Sequence, residues 1–139
     1  MLRAAEGGTP ELRIEDLAVT FMYNAQVKLL EELGKTRLNR LGGIKIGTVD
    51  GFQGSERDYV IVDLMRSNPQ RNLGFLSDER RLNVAFSRGR KKTIIVGDLT
   101  MYSESAKFGN FAFCEPLYRI ALYCSRYRTD RVKLAYSTL

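Results

Sequence analysis

The sequence predicts an α/β fold in which a mostly parallel sheet is flanked by helices. Two observations carry that prediction. Short apolar runs of strand character recur at Leu17–Phe21, Ile44–Val49, Tyr59–Leu64 and Thr93–Val96. Stretches of helical character alternate with them, from Asn24 to about Arg40, from Glu79 to Arg88 and from Phe111 to Arg128. No internal repeat and no low-complexity tract breaks the alternation.

Each element has a local reason. Leu17–Phe21 is a continuous apolar run suited to a buried strand. Asn24 can cap the helix that follows, and Val27, Leu30 and Leu33 share one of its faces. Gly42 and Gly43 break that helix, Ile44–Val49 alternates as a strand does, and Asp50-Gly51 marks a turn. Tyr59–Leu64 is rich in β-branched residues. Ser67–Ser77 holds Pro69, Asn72 and Gly74 and is expected to be a loop. Asp78 can cap the next helix and Gly89 can close it. Thr93–Val96 ends at Gly97-Asp98. Phe111, Cys114, Tyr118, Ala121 and Ser125 form one stripe of the last helix.

The 139 residues fit one domain. It is expected to span residues 13–128, with a disordered start over 1–12 and a basic tail over 129–139. Met1–Pro10 lacks the apolar centre of a signal peptide and reads as a disordered start or the scar of a truncated gene. With 44% hydrophobic and 27% charged residues, the composition is that of a globular chain. No run of 18 apolar residues exists, so no membrane span is expected.

The formal net charge of +6 favours polyanionic partners such as nucleic acid. Arg119, Arg126, Arg128, Arg131 and Lys133 gather near the end with one acid, Asp130. They fit a solvated helix-flanking run, or else an edge that contacts phosphate. The sequence has 0 histidines, which removes imidazole acid–base catalysis and most zinc sites. Cys114 and Cys124 lack CxxC spacing and read as buried, reduced thiols of an intracellular protein.

In sheets of this kind ligands bind at the carboxyl ends of the strands. The informative residues are therefore expected just after Val49, Leu64 and Val96. Two decoys lie elsewhere. Gly34-Lys35-Thr36 looks like the end of a phosphate-binding loop, but position 29 is Leu29 where that motif needs glycine. The tripeptide also ends a helix instead of opening one. Val60-Ile61-Val62-Asp63 looks like a strand ending in a magnesium-binding acid. With no phosphate loop to bring magnesium, Asp63 reads as a strand-end polar residue.

Two segments carry more. Thr48-Val49-Asp50-Gly51-Phe52-Gln53-Gly54-Ser55-Glu56 offers a hydroxyl, an amide and a carboxylate in one short loop, with glycines that permit close approach. On composition alone a ligand-free hydrogen-bonded turn accounts for it as well. Arg80-Arg81-Leu82-Asn83-Val84-Ala85-Phe86-Ser87-Arg88-Gly89-Arg90 places Leu82, Ala85 and Phe86 on one helix face, and Arg81, Val84 and Arg88 on another. Guanidinium groups on a rigid helix suit phosphate recognition. Arginines that only meet water would give the same periodicity.

Taken together, TVDGFQGSERDYVIV, the downstream MRSN, GFLSDERRLNVAFSRGR and TIIVGD resemble consecutive motifs of superfamily 1 helicases. The nearest group is that of the nonsense-mediated-decay helicase and senataxin. VTFMYNAQVKLLEEL is similar to that group's motif IV, so the resemblance runs from Ala18 to about Asp98. It does not extend with any clarity past Thr100.

The resemblance implies a RecA-like, P-loop-NTPase-type domain, the second lobe of a helicase motor. Arg88 matches the arginine finger that reaches the γ-phosphate, with Arg90 beside it as a catalytic residue. Gln53, Gly54, Glu56 and Arg81 would line the ATP cleft. Thr48, Asp50 and Asn83 would face the nucleic acid. The implied cofactor is ATP with Mg²⁺, bound mainly by the amino-terminal lobe, and this chain ligates no metal itself. The implied partners are single-stranded RNA or DNA and that amino-terminal RecA-like lobe, in the cytoplasm or nucleus and with no membrane.

Phe86, Ser87 and Gly89 stand where the group commonly has Leu, Thr and Ala. Glycine costs a helix about 1 kcal/mol against alanine, so Gly89 is expected to loosen the Arg88–Arg90 geometry. The chain alone is expected neither to hydrolyse ATP nor to unwind a duplex. The alternative is a non-enzymatic helicase remnant that binds RNA or a protein.

Overall fold

In the computed structural model, residues 12–37, 43–64, 66–70, 72–102 and 114–126 are described. Four parallel strands form one sheet in the order β2-β1-β3-β4. They are β1 (Leu17–Phe21), β2 (Lys45–Thr48), β3 (Arg57–Asp63) and β4 (Gly89–Val96). The helices are α1 (Asn24–Arg37), α2 (Glu79–Phe86) and α3 (Glu115–Arg126). The parallel α/β expectation is met.

The apolar runs form the centre of the molecule. Ala18, Val60 and Val62 are fully buried, and Leu64 nearly so. The core is completed by Phe52 from the β2–β3 connection, Leu73 and Leu76 from the loop after β3, Leu82 and Ala85 from α2, and Leu117 from α3. The stripe expected of the last helix is found at Cys114 and Ala121, both buried, with Leu117 beside them. Phe111 lies outside the described residues. Burial pushes the Cys114 thiol up from its ordinary value, which keeps it protonated and inert. The Cys124 side chain lies outside the description.

The carboxyl end of α2 differs from expectation, while its start at Glu79 is as expected. Asp78 caps it as expected, accepting from the Arg80 amide at 3.1 Å and the Arg81 amide at 3.4 Å. The helix stops at Phe86, however, and Gly89 opens β4 instead of closing α2. The strand expected to begin at Thr93 therefore begins four residues sooner, at Gly89. The 89–92 stretch is a glycine followed by basic residues at the sheet edge, so it carries no apolar alternation for a sequence reading to find. The Ser67–Ser77 loop ends in a 3₁₀ turn, Gly74–Ser77. Gly34, Lys35 and Thr36 all fall inside the final turns of α1, the wrong end of a helix for binding phosphate.

Candidate functional site

The segment from β2 to β3 links opposite ends of the sheet. It leaves the carboxyl end of β2, turns through a short 3₁₀ helix at Asp50–Phe52, and enters the amino end of β3 at Arg57. Phe52 pins the turn: its ring is buried and packs where a side chain at Gly47 would stand. Lys45 Nζ lies 4.5 Å from the centre of that ring and donates to Ser55 Oγ at 2.8 Å.

Residues expected to share one carboxyl-end site are thus divided between two. Thr48 and Asp50 stay at the carboxyl end of β2, where Thr48 Oγ1 accepts from the Gly51 amide at 3.4 Å. Ser55 and Glu56 run to the amino end of β3. Gln53 and Gly54 lie between them and are exposed, Gly54 with a left-handed φ of 78°. The correction follows from strand direction. Arg57 opens β3 and pairs with Gly89, which opens β4.

Helix α2 runs from one end to the other. Its first turn meets the carboxyl end of β2, where Arg81 Nη2 lies 3.0 Å from Asp50 Oδ2. Its last turn delivers Arg88 to the amino ends of β3 and β4, where the Arg57 amide donates to the Arg88 carbonyl at 3.1 Å. At about 1.5 Å per residue, Arg81 is roughly 7–8 Å along the axis from the end of α2 at Phe86, and Arg88 lies two residues beyond that end. One phosphate cannot meet both without reach from the side chains. Asn83 lies between them on the helix and is exposed.

Arg88 is half-buried and held by neutral acceptors. Its Nε donates to the Val84 carbonyl at 2.9 Å and its Nη2 to Ser87 Oγ at 2.9 Å. The guanidinium folds back over the end of its own helix, where free carbonyls and the negative end of the dipole favour a cation. Arg90 is engaged differently. It forms an ion pair with Asp58, Nη2 to Oδ1 at 2.8 Å, and Lys91 Nζ holds the other oxygen at 2.6 Å. Sequence reasoning missed Asp58 and Lys91, because only the strand register brings them together.

The carboxyl ends of the strands carry a second group whose members lie in separate motif stretches of the sequence: Tyr23 in VTFMYNAQVKLLEEL, Arg66 in MRSN, and Phe75 and Arg81 in GFLSDERRLNVAFSRGR. Tyr23, just after β1, stacks on Phe75 with ring centres 5.2 Å apart. Arg66 lies over the Tyr23 ring at 5.7 Å and donates to the Tyr23 hydroxyl at 3.2 Å. Arg81 lies over the Phe75 ring at 4.7 Å. The result is a ladder of Arg66, Tyr23, Phe75 and Arg81, in which Phe75 is exposed. Beside it an open hollow is lined by Arg66, Ser67, Asn68, Gln70 and Asn72.

Among the described residues no group of three or more His, Cys, Asp or Glu could hold a metal ion. Asp63 ends β3 opposite Val96 and stands in no such group. Arg119 pairs with Glu115 along α3 at 2.9 Å, as a solvated helix pair does. Arg128, Asp130, Arg131 and Lys133 lie outside the described residues. No described helix is long and apolar enough to cross a membrane.

A four-stranded parallel sheet with flanking helices is an α/β architecture consistent with a RecA-like domain. Residues 4–100 match the AAA-domain family, and the chain belongs to that family as a carboxy-terminal RecA-like domain of the superfamily 1 group B helicases. Over 83 residues, 60% of this chain, it is 48% identical to the DNA polymerase alpha-associated DNA helicase A of Saccharomyces cerevisiae. Over 75 residues, 54% of the chain, it is 43% identical to the Regulator of nonsense transcripts 1 of Dictyostelium discoideum. Over 102 residues, 73% of the chain, it is 38% identical to the DNA-binding protein SMUBP-2 of Mus musculus. The matched segments make up 12%, 6% and 9% of those proteins, so the chain spans a small part of their length.

Proposed function

We propose that this domain is the motor half of an ATP-dependent nucleic-acid helicase and supplies its arginine finger, Arg88. The observation that carries the reading is the state of Arg88. It is a guanidinium at the end of a rigid helix, bonded to a carbonyl and a hydroxyl, and lying beside the Glu56–Arg57 strand start. Neutral acceptors are exchanged for phosphate oxygens at little cost, whereas a carboxylate partner would compete with them.

In this reading a second, P-loop-bearing lobe binds most of the ATP and its Mg²⁺. Gln53, Gly54 and Glu56 face the nucleotide from this side, and Arg90 supports Arg88. Phosphoryl transfer needs charge stabilisation more than covalent chemistry, and a finger contributes roughly 10³ to 10⁵ in rate. Arg88 would leave the α2 terminus when the lobes close on ATP and return when they open, which couples hydrolysis to motion. Single-stranded RNA or DNA runs over the carboxyl-end side, along Thr48, Arg81 and the Phe75 ring. Asn83 lies on α2 between the two faces, and Asp50 acts there through its hold on Arg81. The setting is the cytoplasm or nucleus.

The test joins this domain to a P-loop lobe and measures nucleic-acid-stimulated ATP hydrolysis. Arg88→Ala should lower kcat by roughly 10³ or more. Lys28→Ala, on the exposed side of α1, should leave it unchanged. The isolated chain should show no hydrolysis. Full activity in Arg88→Ala, or robust magnesium-dependent hydrolysis by the chain alone, overturns the reading.

A further inference from the structure

Strands β3 and β4 do not pair evenly. Arg57 lies opposite Gly89, yet Tyr59 lies opposite Lys92. Asp58 alone therefore faces two residues, Arg90 and Lys91, which is a β-bulge. Adjacent strand residues ordinarily point to opposite faces. Here both cations reach one carboxylate. Arg90 Nε and Nη2 lie 2.9 and 2.8 Å from Oδ1, and Lys91 Nζ lies 2.6 Å from Oδ2. The Asp58 side chain is only 15% exposed, while those of Arg90 and Lys91 are 57% and 60% exposed. The carboxylate sits inside and the two cations close over it.

The bulge begins where Arg88 ends. The Arg57 amide to Arg88 carbonyl bond is the last regular rung before the irregularity. Even pairing continued down from Tyr59–Lys92 would set Arg57 opposite Arg90. Arg88 would then lie one residue further out, about 3.3 Å along the strand, with its facing reversed.

We infer that Asp58 is a positioning residue: by holding Arg90 and Lys91 on one carboxylate it fixes the β4 bulge, and through it the place and facing of Arg88. What that placement serves rests on the reading of Arg88 as the finger, where a misplacement of even 1 Å can cost roughly 10² in rate. The placement itself can be measured without any nucleotide.

The experiment is NMR on the full 139-residue chain, following the Arg88 Nε–H, which donates to Val84 and not to Asp58. Asp58→Asn keeps the shape and removes the charge. The expected result is a shifted Arg88 Nε–H and Gly89 amide, with hydrogen exchange at least tenfold faster there than any change at the core amides of Val60 and Val62. Lys91→Ala removes one arm of the clamp. It should move the same signals in the same direction by less, and it carries the test if Asp58→Asn does not fold. Arg88 and Gly89 signals that stay as in the wild type, or that change only as much as the core does, overturn the inference. That outcome leaves the Arg88→Ala hydrolysis result untouched, so the two ideas can fail separately.

Discussion

The Arg81 guanidinium lies 3.0 Å from the Asp50 carboxylate and ties the first turn of α2 to the loop leaving β2. Asp50 is itself an anion and repels phosphate, so its pairing with Arg81 competes with the phosphates that Arg81 would meet. An exposed pair of this kind stabilises the fold by less than about 1 kcal/mol. Asp50→Asn should accordingly leave the thermal midpoint within a few degrees of wild type. It should tighten binding of single-stranded RNA and steepen the salt dependence, while Arg81→Ala should weaken binding and reduce the salt slope by roughly one ion. Titrations at several salt concentrations decide it. Equal affinity and slope in all three proteins would remove Arg81 from the nucleic-acid surface.

Phe75 is exposed at the carboxyl end of the sheet, stacked on Tyr23 and covered by the Arg81 guanidinium, which an incoming base would displace. A base stacked on an aromatic ring gains about 1–3 kcal/mol by alanine substitution, with little preference for sequence. Phe75→Ala should weaken single-strand binding by roughly tenfold or more in homopolymers of different base alike. The ring is 52% exposed, so its removal should cost the fold little. Unaltered affinity in fluorescence titrations would show that the strand follows another path.

Gly89 was expected to loosen the motif because glycine weakens helices. It lies outside α2, so that penalty does not apply. A Cβ built on it would meet the Lys92 carbonyl oxygen at 2.6 Å and Thr93 Oγ1 at 2.5 Å. Glycine is what allows the bulge to fold so closely. Gly89→Ala should therefore destabilise the domain by about 1–3 kcal/mol, as overpacking does. Urea denaturation reads this directly, and a raised midpoint would contradict it.

How far the sequence disclosed this molecule depends on whether a signal was local. The Leu17–Phe21 strand, the Asp78 cap and the Leu82–Ala85 face of α2 were legible because each rests on neighbouring residues. The first half of β4 was not, since Gly89 to Lys92 has the composition of a solvated turn and becomes a strand only by pairing with β3. The motif residues were legible as a set. Their division between two ends of the sheet was not, because it depends on the direction in which the β2–β3 connection runs. The Tyr23–Phe75 stack joins residues that only the closed sheet brings within 5.2 Å.

The Asp58 clamp also sets a pH window for stability. The hydrogen bond from Lys91 acts most strongly on the Asp58 carboxyl; burial, next in size, opposes it, and the charges of Lys91 and Arg90 add to it, so that the carboxyl is held below its ordinary value of 3.8. A depressed carboxyl contributes stability that is fully present above 3.8 and is lost as pH falls through the lower folded value. Lys91 is shifted the other way, raised above 10.5 chiefly by its hydrogen bond to Asp58. Its contribution is complete below 10.5 and is lost as pH rises through the higher folded value. The stability gap between wild type and Asp58→Asn should therefore form a plateau across neutral pH and close on the acid side below 3.8. On the alkaline side it should narrow above 10.5 and not close, because Arg90 keeps its charge there. Because both cations are exposed, the plateau should also shrink as salt is added. Thermal melts of the two proteins from acid to alkaline pH test this. A gap that stayed constant well below pH 3.8 would mean that the Asp58 charge contributes nothing and that the bulge is held by backbone pairing alone.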